Sequence, residues 1–489
     1  MKIKKSRVEI YVADFETSHE TRNGVEYAWV WCAGYSRLFN EHIERQGTIN
    51  EFVKSLMINK SKKVYFHNLK FDGQFLLSYF LNKGYTWCEN FTDENQLNYI
   101  IDNSGTFYSL QVSFKNKKGQ IKRITFLDSL KIYPYSLATV AKQFGFEEQK
   151  GKMDYDELRY PNHKLTQSEI EYFRKDIVIL RKAMEQAYLK DIKKMTIGAN
   201  ALYEYKTIIG KNNFDRIFPK LPNNVDEYLR NAYKGGCCMV GEKYQNVIAD
   251  TYSYDINSMY PSQLKYQKLP FGVPHYFTGK YSGDKLYVQH LKASFNIKNK
   301  KLPCIQLKHT RIFQDNEWIK NCNYQMELYL TNIDLDLFFD NYDVYDLEYI
   351  DGYEFESIRG LFSEYIDKWY NIKMNTHDKG ERAFAKLFLN NIYGKFGTNP
   401  HRKSGRFGLI NGVVKKVETI DEDVDTVYLP IAIFTTSYAR AMLIKNAQTQ
   451  FDDFMYCDTD SIHFNKPAKY LKIDNHKLGF FKYEYKGVG

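Results

Sequence analysis

Three apolar, aromatic runs of this chain carry acidic residues where a buried strand normally has none. The runs are "VADFET" with Asp14 and Glu16, "YSYDINSMYP" with Asp255, and "FMYCDTDSIHF" with Asp458 and Asp460. Along an extended strand, side chains two residues apart lie on one face, so each spaced pair brings like charges together. Such a pair needs a cation nearby or contact with water, because burial alone would raise its pKa values.

Each of these runs also has a simpler explanation. Asp458 and Asp460 are equally well explained by an Asp-rich hairpin turn that faces water, since Asp is a common turn former. Asp14 and Glu16 would likewise be unremarkable if their strand edge faced solvent. Taken singly, the patterns leave both the metal site and the structural explanation open.

The length and charge of the chain limit the kinds of protein it can be. A chain of 489 residues is too long for one core, so we expect two to four domains. The net charge of +10 suggests a polyanionic partner such as nucleic acid, although A/T-rich coding also enriches Lys, Asn and Tyr. The seven cysteines include no C-x-x-C pair, which indicates a reducing cytoplasm. No signal-peptide core or long apolar run is present, so no membrane association is expected.

Periodicity predicts an α/β domain that closes near residue 195. The runs "VEIYVADF" and "KKVYFHN" are typical of strands, and a helix is predicted from about Thr166 to Ile192. Thr166 and Glu169 form a capping box at its start. Further on, "TYSYDI" predicts a strand, 268–359 a loop-rich β region, 361–396 a helical region, and 397–426 an exposed hairpin.

Two helical patterns place polar side chains together. "YFRKD" puts Tyr172 and Asp176 four residues apart on one helical face, and "FHNLKFDG" puts Asp72 at the start of a helix. With Asp14 and Glu16 these carboxylates could converge on two metal ions, with Tyr172 orienting a water for phosphodiester hydrolysis. The structural alternatives are that Asp72 caps its helix and that Tyr172 and Asp176 form an ordinary helix edge.

"AKLFLNNIYGKFG" places three chemically different side chains on one helical face. Lys386, Asn390 and Tyr393 follow one another at helical spacing. A lysine could bind a triphosphate, an amide could hold it in position, and an aromatic ring could stack on a base. The alternative is a solvated helix face.

The order of these motifs resembles family B DNA polymerases. D-x-E, N-x-x-F-D and Y-x-x-x-D are similar to the exonuclease motifs of their proofreading domain, and "YSYDINSMYP" is similar to the first polymerase motif. Six stretches resemble the protein-primed branch of the family, which consists of phage enzymes that start from a terminal protein. These stretches are "YFHNLKFDG", "DSLK", "YKGG", "YIDKW", "KLFLNNIYGKF" and "YCDTDSIH". This resemblance covers essentially all of the chain.

The resemblance implies an α/β and α+β multidomain fold, with an RNase H-like 3′–5′ exonuclease domain followed by a right-hand polymerase with palm, fingers and two insertions. The implied domains are the exonuclease at 1–195, first palm part at 196–267, an insertion that contacts the priming terminal protein at 268–362, fingers at 363–397, an insertion for strand displacement and processivity at 398–429, and second palm part at 430–489.

The resemblance also implies roles for individual residues. The exonuclease metal ligands would be Asp14, Glu16, Asp72 and Asp176, with Tyr172 and Lys150 assisting. The single-stranded primer end would be bound by His67, Asn68, Phe71, Ser129 and Leu130. The template would contact Tyr233, Gly235 and Gly236, and the primer-template would contact Thr436 and Arg440.

In the polymerase half, Asp255 and Asp458, with Asp460 close by, would hold two Mg²⁺ ions for nucleotidyl transfer, and Mn²⁺ could substitute. Tyr260 would be the sugar gate, and the remaining nucleotide-binding residues would be Lys373, Lys386, Asn390 and Tyr393. The expected partners are primer-template DNA, single-stranded 3′ ends, deoxynucleoside triphosphates and a terminal priming protein, in the host cytoplasm and without a membrane.

The family's K-x-Y motif and thumb are not found before the chain stops at "KLGFFKYEYKGVG". We therefore expect this chain to degrade single-stranded 3′ ends but to extend primers poorly, and a separate C-terminal fragment to restore extension. The alternatives are an exonuclease-only or inactive polymerase fragment, and a DNA-binding protein whose acidic sites are vestigial.

Overall fold

A computed structural model describes residues 8–149, 151, 153–154, 157–306 and 318–488 of the chain. The chain divides into two compact units. The first unit consists of Met1–Asn200, His377–Ala383 and Pro400–Val424, and the second of Ala201–Thr376, Phe384–Asn399 and Asp425–Gly489. None of the helices in the described residues is long and apolar enough to cross a membrane.

The strands, in chain order, are β1 Val8–Arg22, β2 Val25–Arg37, β3 Ile43–Gln46, β4 Ser61–Phe66, β5 Thr86–Trp87, β6 Gln96–Ile101, β7 Phe107–Lys115, β8 Ile121–Asp128, β9 Cys238–Val240, β10 Asp250–Ile256, β11 Lys268–Thr278, β12 Leu286–Ile297, β13 Ile305–Gln306, β14 Trp318–Ile319, β15 Asn321–Thr331, β16 Tyr342–Arg359, β17 His401–Ile410, β18 Val413–Asp423, β19 Phe454–Asp458, β20 Ser461–Phe464 and β21 Phe481–Val488.

The helices are α1 Ile49–Leu56, α2 Leu69–Asn82, α3 Leu137–Phe144, α4 Gln167–Leu189, α5 Ile197–Ile209, α6 Lys211–Ile217, α7 Asn223–Arg230, α8 Met259–Tyr266, α9 Asn332–Asn341, α10 Ser363–Asn375, α11 Lys379–Phe396 and α12 Leu429–Gln448. Short 3₁₀ turns occur at Ser129–Lys131, Glu242–Tyr244 and Phe451–Asp453.

A mixed eight-stranded sheet forms the centre of the first unit, in the order β3-β2-β1-β4-β8-β7-β6-β5. β4 pairs in parallel with both β1 and β8, which is typical of an α/β domain. Its apolar interior contains Phe15, Phe52 and Phe66, whose rings meet edge to face as aromatic pairs prefer. The predicted strands in "VEIYVADF" and "KKVYFHN" are confirmed as β1 and β4.

The predicted helix near Thr166 is α4, and both halves of its capping box form. Phe173, Ile177 and Leu180 are buried at helical spacing. The ring of Phe173 approaches Gly34 of β2 so closely that a Cβ there would lie 2.8 Å from it. Gly34 therefore allows α4 to pack directly on the sheet.

The hairpin β17–β18 belongs to the first unit and confirms the predicted hairpin. The backbone N–H of Phe407 donates to the Tyr99 hydroxyl at 2.8 Å, and the Asn103 N–H donates to the Lys403 carbonyl at 3.0 Å. Phe407 also packs against the core of the first unit. The hairpin thus packs on the rest of the first unit through Phe407, while most side chains of β18 are exposed, as predicted.

The second unit contains a five-stranded sheet in the order β21-β10-β20-β19-β9 and a four-stranded sheet in the order β11-β16-β12-β15. The second sheet corresponds to the predicted β region, but α9 within that region was not predicted. Thr331 caps α9 by accepting the Asp334 N–H at 3.1 Å, a local signal that the sequence does contain. The predicted helical region 361–396 is two helices, since α10 ends at Asn375 and α11 begins at Lys379.

Candidate active sites

The first carboxylate cluster begins on β1. Asp14 is the register partner of Gly34, and Glu16 is the partner of Cys32. Glu16 is buried, and the strand register shifts directly after it, as a bulge would produce. Burial, followed by the charge of Glu16, raises the pKa of the Cys32 thiol to about 12. The carboxylates therefore set a negative potential inside the unit.

α4 supplies the next two residues. Because Phe173 packs on Gly34, the register partner of Asp14, the first turns of α4 lie over the same part of the sheet. Tyr172 and Asp176 on this helix are both buried. Gly151 lies so close to the Tyr172 ring that an added Cβ would be 3.0 Å from it. Lys150, predicted to assist, lies outside the described residues.

α2 brings in Asp72, which is buried in its first turn. Burial, and then the negative charges of Asp14 and Asp128, raise the pKa of Asp72 well above its usual range. Asp72 therefore lies in the field of Asp14, as the metal-site interpretation predicts. The cap of α2 is Asn68 in the left-handed conformation, so the alternative that Asp72 caps the helix is wrong.

Asp128 is a buried carboxylate that the sequence interpretation missed. It ends β8 and accepts the N–H groups of Asn68 and Leu130, each at 3.0 Å. Burial raises its pKa. Its position directly before Ser129 in "DSLK" is the one sequence signal for it.

The residues predicted to bind a single-stranded primer end adjoin this cluster. The Ser129 hydroxyl is buried, donates to the Phe66 carbonyl at 2.9 Å and lies 2.9 Å from His67 Nδ1. His67 Nε2 lies 2.7 Å from the Tyr135 carbonyl. Ser129 therefore orients His67 within the protein, whereas the ring of Phe71 is 50% exposed and able to stack on a base.

The second carboxylate cluster lies on β10, β19 and β20 of the second unit. β19 ends at Asp458, Thr459 adopts a positive φ of 55°, and β20 begins at Ser461. The D-T-D stretch is therefore a hairpin turn and not one extended strand. The Asp460 carbonyl accepts the N–H of Ile256 at 2.8 Å, which joins this turn to the end of β10 next to Asp255.

The electrostatics of the turn pair Asp255 with Asp460. Burial, and then the charge of Asp460, raise the pKa of Asp255 to about 7. Burial also raises the pKa of Asp460, with the charge of Asp458 adding to it. Asp458 itself is exposed. The sequence interpretation put Asp255 and Asp458 first, whereas in the structure it is the charge of Asp460 that acts on Asp255.

The predicted nucleotide residues surround these carboxylates. The rings of Tyr260 and Tyr393 stack with centroids 4.1 Å apart, and Lys373 donates to the Ser258 hydroxyl at 2.8 Å. Burial, and then the charge of Lys386, lower the pKa of Lys373 to about 8. On α11, Lys386 and Asn390, which lie four residues apart, are both exposed. A ligand can therefore reach both side chains.

The two glycines of "YKGG" differ, because Gly236 is packed on the same site and Gly235 is not. A Cβ at Gly236 would lie 3.0 Å from the Tyr260 hydroxyl oxygen and 3.2 Å from the Thr459 hydroxyl oxygen. A Cβ at Gly397 would lie 2.5 Å from the hydroxyl oxygen of Tyr233. Around Gly235 there is open space, so its backbone can be approached from outside.

Arg440 and Thr436 differ from their predicted role as primer-template contacts. Arg440 is 3% exposed, and its guanidinium donates to both carboxylate oxygens of Asp334 at 2.9 Å. It also donates to the carbonyls of Lys234 and Gly235, so it holds the "YKGG" loop. The buried Thr436 hydroxyl donates to backbone carbonyls within α12. The structure therefore gives both side chains internal partners and not a DNA-facing surface.

The carboxylates are suited to Mg²⁺ as pairs. Among the described residues, no group of three or more His, Cys, Asp or Glu side chains could hold a metal ion. Mg²⁺, however, is normally held by one or two carboxylates together with substrate phosphates and water. The pairs Asp255–Asp460 and Asp14–Asp72 fit that mode. Burial and then the charge of Asp460 raise the pKa of Asp255, and burial and then the charge of Asp14 raise the pKa of Asp72.

Comparison with known proteins shows the family to which this chain is similar. The family model described as DNA polymerase type B, organellar and viral, matches residues 53–164 and 157–477. The DNA polymerase of Bacillus phage M2 is 36% identical over 96% of this chain and 84% of its own length.

Solved structures of phage phi29 DNA polymerase have the same fold. The structure complexed with single-stranded DNA has a TM-score of 0.91 and 31% identity, covering 98% of this chain and 84% of that chain. The complex with primer-template DNA and incoming nucleotide substrates has a TM-score of 0.89 and 32% identity, covering 98% and 85%. The fold class predicted from the sequence is thereby confirmed.

Proposed function

Because the chain belongs to the family of DNA polymerases type B, organellar and viral, and is a DNA-directed DNA polymerase, we propose that its two carboxylate clusters divide synthesis and degradation between them. Asp255 and Asp460 serve nucleotide addition, and Asp14, Glu16, Asp72 and Asp176 serve 3′–5′ removal. The observation that carries this proposal is that the residues of each cluster all belong to one unit.

In the second unit the residues present can bind and orient a nucleotide. Asp255 and Asp460, with Asp458 at the rim, would hold Mg²⁺, which when bound supplies positive charge to the triphosphate and lowers the pKa of the primer 3′-hydroxyl. Lys373 and Lys386 would contact the phosphates. The stacked Tyr260 and Tyr393 rings form an apolar wall for the sugar and base. The protein thus contributes mainly orientation and charge.

In the first unit the residues present can hold a frayed 3′ end. The exposed Phe71 ring would stack on a base, and the ordered His67–Ser129 pair would fix the strand beside it. The pair Asp14 and Asp72 would hold Mg²⁺, Glu16 and Asp176 would add negative charge beside it, and the Tyr172 hydroxyl would orient the attacking water. Removal of mispaired ends by this unit is proofreading.

The finer assignments follow the protein-primed relatives. We propose initiation on a terminal protein contacted through the insertion 268–362, and strand displacement supported by the hairpin β17–β18. The host cytoplasm is the proposed compartment. An exonuclease-only role is not favoured, because relatives match nearly the whole chain, including its second half. The membership of this chain in a DNA polymerase family also argues against a DNA-binding protein whose acidic sites are vestigial.

The proposal is tested by measuring nucleotide addition to a primer-template and degradation of a single-stranded primer in parallel, with Mg²⁺ and with a chelator. We expect both activities with Mg²⁺, even if addition is weak, and neither with the chelator. Degradation without any addition would support the exonuclease-only alternative. Binding of DNA without either reaction would support vestigial sites.

Tyr260→Val is expected to relax discrimination against ribonucleotides by about tenfold or more. A steric penalty of about 1.4 kcal/mol between the Tyr260 ring and a ribonucleotide already corresponds to a factor of ten. The Tyr260 ring stacks on Tyr393 and so has a fixed position beside the sugar. The ratio of kcat/KM for deoxyribonucleotides and ribonucleotides measures the effect. Tyr266→Val, at an exposed position of the same helix α8, is the matched control. An unchanged ratio in Tyr260→Val would remove the gate assignment.

A further inference from the structure

Lys482, on the last strand β21, lies next to Asp255. The two residues are register partners in the antiparallel pair β10–β21. Side chains directly opposite each other in such a pair lie on the same face, with Cβ atoms about 5 Å apart. Lys482 therefore points into the region where the nucleotide site is proposed. The sequence interpretation missed it because strand register over more than two hundred residues leaves no local pattern.

Lys482 acts on the same space as the two lysines already assigned to the triphosphate. Burial raises the pKa of Asp255, and the Lys482 charge opposes that rise. Burial lowers the pKa of Lys373, and the Lys482 charge lowers it further. The Lys386 charge lowers the pKa of Lys373 as well. Three ammonium groups that influence one another repel unless an anion lies among them. Their arrangement beside Asp255 and Ser258 therefore suits a highly charged anion.

The present partner of Lys482 is easily exchanged. Lys482 forms an ion pair with Glu484, two residues along the same strand, and both side chains are 37% exposed. Exposed ion pairs contribute only about 0–1 kcal/mol. A phosphate oxygen, which accepts the same kind of charge-assisted hydrogen bond, can therefore replace the Glu484 carboxylate.

We propose that Lys482 is a third phosphate-binding lysine of the nucleotide site, which contacts the triphosphate of the incoming nucleotide and the pyrophosphate formed from it. This inference rests on the proposed assignment of the Asp255 cluster to nucleotide addition. The group recognised is the polyphosphate, so the contact is independent of the base.

The test compares Lys482→Met with Lys482→Arg. Lys482→Met is expected to raise KM for every deoxynucleoside triphosphate about tenfold, the effect of losing one charge-assisted hydrogen bond, and to weaken calorimetric binding of the Mg²⁺–nucleotide complex equally. KM for pyrophosphate in the reverse reaction should rise in parallel. Lys482→Arg should restore most of the affinity because it keeps a phosphate-binding cation.

Lys486→Met is the matched control, because Lys486 lies on the same strand β21 and pairs with Asp250 at 3.1 Å. It should leave nucleotide KM unchanged. An unchanged nucleotide KM in Lys482→Met, with less Mg²⁺ needed for half-maximal addition, would show that Lys482 repels the cation and does not bind phosphate. Failure of the underlying proposal is recognised separately, since Asp255→Asn would then keep normal addition.

Discussion

Asp255→Asn is expected to lower nucleotide incorporation by about three orders of magnitude while leaving single-strand degradation near the wild-type rate. The substitution keeps the side-chain shape but removes the negative charge, and charge stabilisation worth several kcal/mol corresponds to such a factor. Steady-state incorporation into a primer-template and degradation of a single-stranded oligonucleotide measure the two activities. Asp255 lies in the second unit, so the first unit keeps its carboxylates.

Asp250→Asn is the matched control for this prediction. Asp250 begins the same strand β10 and is exposed. Its carboxylate forms an ion pair with Lys486. Its substitution should change incorporation little, as expected for a surface ion pair. The structure further predicts that Asp460→Asn is more damaging than Asp458→Asn, because Asp460 is the carboxylate whose charge acts on Asp255. The reverse order would contradict the pairing.

Combined Asp14→Ala and Glu16→Ala substitution is expected to reduce 3′–5′ degradation of single-stranded DNA by about three orders of magnitude or more, with incorporation retained. Two neighbouring carboxylates of β1 are lost, and the field that raises the Asp72 pKa weakens. Release of labelled mononucleotides from a single-stranded oligonucleotide measures the effect.

Glu20→Gln is the control for the β1 substitutions. Glu20 lies on the same strand after the bulge and pairs with Arg22 at 2.7 Å. Degradation by this variant should match the wild type. A folded Asp14→Ala/Glu16→Ala variant that loses both activities equally would contradict the separation of the sites, and one that degrades normally would remove β1 from the exonuclease.

Much of the site could be predicted because its signals are local. The spacing of Asp14 and Glu16, the capping box before Tyr172, and the helical face of Lys386 and Tyr393 all depend on residues a few positions apart. The elements around them form as predicted. These patterns pointed to the carboxylate motifs, and the fold class followed from the resemblance of their order to family B DNA polymerases.

What could not be predicted depends on contacts between distant segments. The partnership of Asp255 with Lys482 follows from strand register, and the ion pair of Arg440 with Asp334 joins residues far apart in the chain. The turn at Thr459 was an open alternative because the sequence D-T-D is compatible with both a strand and a hairpin turn. Local periodicity does not encode which of these long-range pairings forms.

We propose that one chain adds nucleotides at one carboxylate cluster and removes them at another. The most direct test of this proposal is the conversion of a single labelled deoxynucleoside triphosphate to the monophosphate on a duplex primer end, which requires repeated addition followed by removal. The wild-type chain should release labelled monophosphate, whereas Asp255→Asn and Asp14→Ala/Glu16→Ala should each abolish the release for opposite reasons. Continued release by either variant would show that one cluster performs both reactions.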